Sequence, residues 1–504
     1  MQRHLLDAPG DDPNAVCLDG TPGGFYLEKS RGDSSNSRMW VLHLQGGGWC
    51  YTVEQCVWRM RHDTNRSVPN ALGSSTNWPL TMPSDEFGPV SSDQDTNPDF
   101  ALWNHVYVKF CDGGSFAGDT SLQLPVGSKT VHYRGRRILQ AVVKRLTREL
   151  RLGEEPGTEI LLVGCSAGGL AVTLNADTIR SMLPVTVTKF KAISGSGFFL
   201  DAVSVEDVPV YETQMRAVFE MQALSTTLSA PCQAKHVGAE WRCVFAANAA
   251  PFVNADLFFI DSTVDAWQLG CIFGAQNIGR EKPLEVSYTK KCFSAPALAN
   301  CVSNYFTALT ERCTHKQLEA VARFAAQFKD ILVGTGVLDQ RKNGCFVTSC
   351  VSHCGFSKRD WVEAKLGQGV SMQQAVGMWW RAFNATQAAV YLPCDLRNEQ
   401  PYQCNPSCPP PIAPVYKTMQ PLRPGLTLNA SNAKAPRKAS NAKPRGTNKA
   451  LIAAGALLTV AGFLLGVKQA RIVHGNGDAL LFSVRREEKT SLIMLDVDST
   501  EKSN

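Results

Sequence analysis

The stretch "EILLVGCSAGGLAV", residues 159–172, decides how this chain is read. An apolar run ends at Gly164-Cys165-Ser166-Ala167-Gly168, and apolar residues then resume. The five residues fit G-x-S-x-G, a weak pattern alone. Its context strengthens it, because a strand pattern precedes it and a helix pattern over 168–182 follows. That is the arrangement of a nucleophile elbow, in which a sharp strand-to-helix turn exposes a serine Oγ. Glycines on either side leave room for close backbone contact, and the helix N-terminus favours a developing anion. Ser166 is therefore read as a nucleophile rather than as a serine in a plain turn.

The rest of residues 1 to about 410 supports an α/β chain. Strand candidates are "MWVLHL" (39–44), "HVYVKF" (105–110), "FKAIS" (190–194) and "DLFFI" (256–260), besides "EILLVG" (159–164). They are apolar throughout rather than alternating, as strands buried on both faces are. Helical spacing of apolar residues marks 135–150, 315–333 and 371–383. Strands alternating with helices predict a mainly parallel sheet flanked by helices, an α/β-hydrolase-like fold.

A serine needs a base and an oxyanion site. "HLQGGGWCY" (43–51) follows an early strand and offers bare backbone N–H groups, as HGGG-type loops do. Gly48, Trp49 and Ala167 are the expected donors. The acid is Asp261 or Asp265 in "DLFFIDSTVDAWQLG", and local pattern does not separate them. Among downstream histidines, His315 opens an amphipathic helix. His236 precedes the acid and breaks the expected Ser, acid, His order. His353, between Cys350 and Cys354, lies on a loop that disulfides could pin, and a base must be held rigidly.

Five motifs together, "LQGGGWC" (44–50), "FCDGGSFAGD" (110–119), "GCSAGGLA" (164–171), "VDAWQLG" (264–270) and "SCVSHC" (349–354), resemble the pectin acetylesterase family, which includes the animal lipid deacylase Notum. "DAWQ" and "SHC" are more similar to the plant members. The resemblance spans roughly residues 15 to 408. It implies Ser166 as nucleophile, Asp265 as acid and His353 as base, with Gly48, Trp49 and Ala167 as oxyanion donors. Asp112 and Ser115 carry over as pocket residues only. It further implies a serine carboxylesterase for acetylated polysaccharide such as pectin, needing no metal or other cofactor, with a Notum-like lipid deacylase as the alternative. A monomer is expected.

Charge and cysteines bear on placement. Eight Lys or Arg and no acid lie between Ala413 and Lys449, which leaves −2 of the overall +6 to residues 1–412. Nucleic acid is not an expected partner of that part. All 17 cysteines lie at or before Cys408, a density that suits a disulfide-stapled protein of an oxidising compartment. None forms paired zinc knuckles, and Cys165, beside the nucleophile, is expected to be the odd free thiol. Sequons at Asn65, Asn384 and Asn429 point to the same compartment. "MQRHLLDAPG" holds no signal-peptide core, so the true start is expected upstream of Met1.

Residues 1–408 are thus expected to form the catalytic domain and 409–449 a basic Pro/Ala/Lys-rich linker. "ALIAAGALLTVAGFLLGV" (450–467) carries no charge and would span roughly 27 Å as a helix, enough for a membrane crossing. Residues 468–504 would be a short polar tail. Six Lys or Arg over 434–449 would place the linker in the cytoplasm by the positive-inside rule. The cysteines argue instead for an extracellular or luminal catalytic domain tethered by the span.

Overall fold

The computed structural model describes residues 1–60, 72–123, 130–273, 314–382, 389–393 and 405–409, except 34, 206 and 406, and the backbone of three later strands. The chain divides into two compact units, Met1–Lys417 and Thr418–Asn504.

The first unit is built on a nine-stranded sheet. Its strands are β1 Gln2–Leu5, β2 Gly24–Glu28, β3 Met39–Leu44, β4 Asn104–Val108, β5 Thr158–Cys165, β6 Val187–Gly195, β7 Asp256–Ser262, β8 Gly344–Thr348 and β9 Ala389–Tyr391. Their order is β1-β2-β4-β3-β5-β6-β7-β8-β9. From β4 to β9 every pairing is parallel, while β1 and β2 close one edge antiparallel. The five strands expected from the sequence are all present. The sequence reading missed β1, β2, β8 and β9. The β8 segment, "GCFVT", stands just before the cysteine-flanked loop that carries His353. It is buried throughout and pairs with β7 from Gly344 opposite Phe258 to Thr348 opposite Ser262.

The helices include α1 Val53–Arg59, α2 Gly135–Glu149, α3 Ala167–Met182, α4 Val210–Met221, α5 His315–Gly334 and α6 Met372–Arg381. Side chains alternate across the strands, so the sheet carries a core on each face. Leu42, Leu44, Ile160, Leu162, Leu257 and Phe259 face the larger core, shared with α2, α3 and α5. Val41, Leu161, Val163, Ile193, Phe258 and Ile260 face the other, shared with α6. Among the described residues no helix is long and apolar enough to cross a membrane. The basic linker beyond Pro409, the expected span at 450–467 and the three sequons lie outside the described residues. Within the stretch expected as a polar tail, Ala470–Val473, Leu481–Arg486 and Lys489–Met494 form a small antiparallel sheet.

Five disulfides join described residues: Cys17–Cys111, Cys50–Cys56, Cys165–Cys354, Cys232–Cys243 and Cys350–Cys408. Cys165 is therefore not the free thiol. Its partner is 189 residues away in sequence, which no local pattern reveals. The free cysteine among the described residues is Cys345, buried on β8, where desolvation pushes its thiol up to about 12.

Cys17–Cys111 ties the chain before β2 to the end of β4 across 94 residues. Replacing both with alanine is expected to lower the unfolding free energy by about 2–5 kcal/mol. A urea titration checks this, and an unchanged midpoint would show that the cross-link constrains little.

Candidate active site

Parallel strands end at one edge of the sheet, where binding sites of such folds collect. Leu44 of β3 lies opposite Gly164 of β5, Cys165 opposite Gly195 of β6, Gly195 opposite Ile260 of β7, and Ser262 opposite Thr348 of β8. The chain leaving each of these strands carries one part of the candidate site.

Ser166 follows β5 and precedes α3, with φ 59° and ψ −128°. Non-glycine residues rarely hold such a backbone, and the strain is of order 1–3 kcal/mol. Its N–H donates to Gly195 O at 2.9 Å, and its carbonyl accepts from Leu170 N at 2.9 Å, so both peptide groups are fixed. The glycines are needed for packing. A Cβ on Gly168 would lie 2.0 Å from Leu44 O, and one on Gly46 would lie 2.3 Å from Cys165 O and 2.9 Å from Ser166 Cβ. The glycine run after β3 thus lies directly against the serine turn.

Arg59, at the end of α1, holds that run. Its guanidinium donates to Gly47 O at 2.8 Å and to Trp49 O at 2.9 Å. Gly48 has φ 64°. Among the described residues the N–H groups of Gly48 and Trp49 donate to no backbone carbonyl. Ala167 heads α3, where an N–H has no intrahelical acceptor. Asp112 and Ser115, carried over as pocket residues, are both buried, Ser115 against Trp49 and Asp112 within its own loop. Trp49 Nε1 donates to Ser115 Oγ at 2.8 Å, while Asp112 Oδ2 accepts from the N–H groups of Phe116 at 2.8 Å and Gly114 at 3.2 Å. Desolvation pushes the Asp112 carboxyl up to about 6, against the pull of those hydrogen bonds.

Beyond β7, Asp265 caps a short turn of helix, accepting Gln268 N at 2.9 Å on Oδ1. Its other oxygen lies 2.8 Å from His353 Nδ1. Asp265 is fully buried and the His353 side chain is 13% exposed. Asp261, the alternative acid, is buried on β7, and among the described residues its oxygens have no close hydrogen-bond partner beyond the weakly placed Phe198 N–H. Desolvation, with the Asp265 charge adding to it, holds its carboxyl well above the usual range. His315 is exposed on α5 beside Glu319, and His236 sits at the end of a short helix.

The His353 loop is fastened residue by residue. Ser352 O accepts from Ala266 N at 3.2 Å, Cys354 N donates to Ser196 Oγ at 2.9 Å, and Lys358 Nζ donates to His353 O at 2.7 Å. Cys165, His353 and Cys354 come close enough to suggest a metal ligand set. Their two sulfurs are joined to each other, so no thiolate is offered.

Sequence reasoning missed the aromatic wall beside this loop. Trp267 and Phe199 lie 6.3 and 6.4 Å from the His353 ring, centroid to centroid. Trp49 packs on Phe199 at 5.0 Å, on Trp267 at 5.7 Å and on Tyr211 at 5.8 Å. Trp49 and Trp267 stood inside quoted motifs, but nothing local pairs them with Phe199 or Tyr211. The same holds for Arg59.

Comparisons with known proteins agree on one family. The family described as "PAE: Pectinacetylesterase" matches residues 3–409. Pectin acetylesterase 5 of Arabidopsis thaliana is 28% identical over 407 residues, covering 80% of this chain and 84% of that protein. Pectin acetylesterase 11 of the same plant is 29% identical, covering 78% and 89%. Human palmitoleoyl-protein carboxylesterase NOTUM is 26% identical, covering 81% and 73%. The solved structure of the Wnt deacylase Notum from Drosophila has a TM-score of 0.60 and 24% identity, covering 81% of this chain and 99% of that one, a likeness of fold.

Asp261 gives a stability prediction. Its folded pKa is raised. Below about pH 4 both folded and unfolded carboxyls hold their proton, and stability is unaffected. Above that the unfolded chain releases the proton while the folded one keeps it, so stability falls as pH rises. Asp261→Asn is expected to be more stable than the unchanged protein at pH 7 and equal to it near pH 3.5. Urea midpoints at the two pH values check this; a destabilised variant at pH 7 would show that the carboxyl has a structural partner.

Proposed function

The chain belongs to the pectinacetylesterase family and is a carboxylic ester hydrolase, and we propose that it works through Ser166, His353 and Asp265 on acetyl esters of cell-wall polysaccharide. The observation that carries the residue assignment is the hydrogen bond of His353 Nδ1 to the buried Asp265, on a loop joined covalently to the residue before Ser166.

With Asp265 ionised, Nδ1 carries the proton and Nε2 is left as the base. Nε2 takes the Ser166 proton as Oγ attacks the acetyl carbonyl. Asp265 orients the ring and stabilises the imidazolium without itself taking the proton. The N–H groups of Gly48, Trp49 and Ala167 bind the oxyanion, and their pre-set geometry is what accelerates the step. The imidazolium of His353 then protonates the departing sugar oxygen, which leaves as a hydroxyl, and the acetyl group stays on Ser166. Water, deprotonated by Nε2, attacks the acetyl-enzyme, and acetate leaves as Ser166 recovers its proton. No other cofactor enters these steps.

Trp49, Phe199 and Trp267, all buried, lie in mutual ring contact beside His353 and the glycine run. The similarity to plant pectin acetylesterases supports acetyl over a fatty acyl group. The five disulfides support an oxidising compartment for the working protein. Tethering by residues 450–467 is part of the same proposal and rests on their sequence alone.

Ser166→Ala is expected to lower kcat on 4-nitrophenyl acetate by at least about 1,000-fold with the fold kept, and Asp265→Asn by a large factor that does not exceed the Ser166→Ala loss. Asp261→Asn should lose far less; the opposite ranking of the two Asn variants would move the acid. Acetate esters should exceed octanoate esters in kcat/KM by roughly tenfold or more. The reverse order would support fatty deacylation, the activity named for the Notum relatives.

A further inference from the structure

Two ties flank His353. On one side, Ser352 O accepts from Ala266 N, the residue after Asp265. On the other, Cys354 is disulfide-bonded to Cys165, the residue before Ser166. The base is thus fastened on its N-terminal side to the neighbour of the acid and on its C-terminal side to the neighbour of the serine. The two fastenings differ in strength, since one is a hydrogen bond and the other a covalent bond.

The disulfide is the covalent tie between the Cys354 side of the loop and the serine turn; the other ties there are hydrogen bonds and the packing of Phe356 against Gly195. Cys354 holds a left-handed backbone, φ 59°, that turns its side chain toward β5. Its N–H bonds to Ser196 Oγ, just past β6. The Cys350–Cys408 bond fastens the start of the loop to a different segment. Cys165 packs in the smaller core with Val163 and Phe356, so β5 supplies a rigid anchor. The Asp265–His353 hydrogen bond fixes the ring to the acid, while the disulfide is the covalent path from the loop to the serine turn.

We propose that Cys165–Cys354 is a positioning pair that sets the Ser166–His353 distance, and that its reduction by a dithiol lowers turnover while the domain stays folded. In that reduction the Sγ–Sγ bond takes two electrons and two protons from the reagent. Two thiols form, and the reagent becomes its own cyclic disulfide. A released loop would let His353 drift, and a misplacement near 1 Å costs about 100-fold in rate. The inference rests on the reading of Ser166 and His353 given above.

The test compares Cys165→Ala/Cys354→Ala, Cys232→Ala/Cys243→Ala and Ser166→Ala with the unchanged protein, using 4-nitrophenyl acetate, thermal unfolding and circular dichroism. Cys232–Cys243 spans 11 residues and joins none of the segments that carry Ser166, Asp265 or His353, so its loss reports what any missing cross-link does to stability. The Cys165/Cys354 variant is expected to lose about 10- to 100-fold in kcat with KM within about twofold, at a temperature where it is folded. The Cys232/Cys243 variant should show a lower thermal midpoint at unchanged kcat. Unchanged kcat in the first variant, with Ser166→Ala inactive, overturns this inference and leaves the active-site reading standing. An active Ser166→Ala overturns the reading itself. If the Cys165/Cys354 variant does not fold, the unchanged protein is titrated with dithiothreitol, and freed thiols are located by alkylation and mass spectrometry. Turnover should fall in step with exposure of Cys165 and Cys354 thiols and return on reoxidation; turnover that persists with both thiols free overturns the inference.

Discussion

Ser166 is held with φ 59° and ψ −128°, and the rest of the site is arranged around that one strained residue. The strain persists because its surroundings allow no relaxation. Its N–H is bonded to Gly195, the glycine run after β3 presses on it, and α3 starts at the next residue. Each of these contacts requires strands β3, β5 and β6 to end level. The parallel register does that, with Leu44 opposite Gly164 and Cys165 opposite Gly195. The sheet therefore acts as a jig, and the serine turn is where its tolerance is tightest.

Three buried acids show how surroundings, not residue type, assign a role. Asp265 has a backbone donor on one oxygen and His353 on the other. Asp112 has backbone donors on one oxygen and none on the other, and desolvation raises it. Asp261 has only the weakly placed Phe198 N–H among the described residues, lies near the Asp265 charge and is raised well above the usual range by desolvation. A carboxylate that is to steady an imidazolium must stay ionised while buried, which needs donors. Of the three, Asp265 alone has donors on both oxygens and the histidine within reach.

Much of the fold was legible because strands buried on both faces leave long apolar runs. Met39–Leu44, Thr158–Cys165 and Asp256–Ser262 could be found that way. The edge strands β1 and β9 are short and keep no fully buried residue, and β2, buried inside the sheet, is only five residues long, so no long apolar run marks them. The β8 strand is only five residues long and includes Cys345, too short an apolar run to stand out beside the cysteine-flanked loop that follows it. Cys165 was misjudged for a related reason, since its partner is brought near only by β8 and the loop beyond it.

The sequence by itself determined the elbow, the glycine run and the candidate His353, because each depends on residues adjacent in the chain. A strand, small residues and a helix start are local instructions. It left Asp261 and Asp265 unresolved, since they are four residues apart on one segment and only resemblance preferred one. Tertiary structure decided which of the two meets His353, which sulfur meets Cys165 and which rings line the loop. Those are contacts across 88 and 189 residues of chain, made by strand order and register. No local pattern encodes a distance between segments that separate strands carry to the same sheet edge.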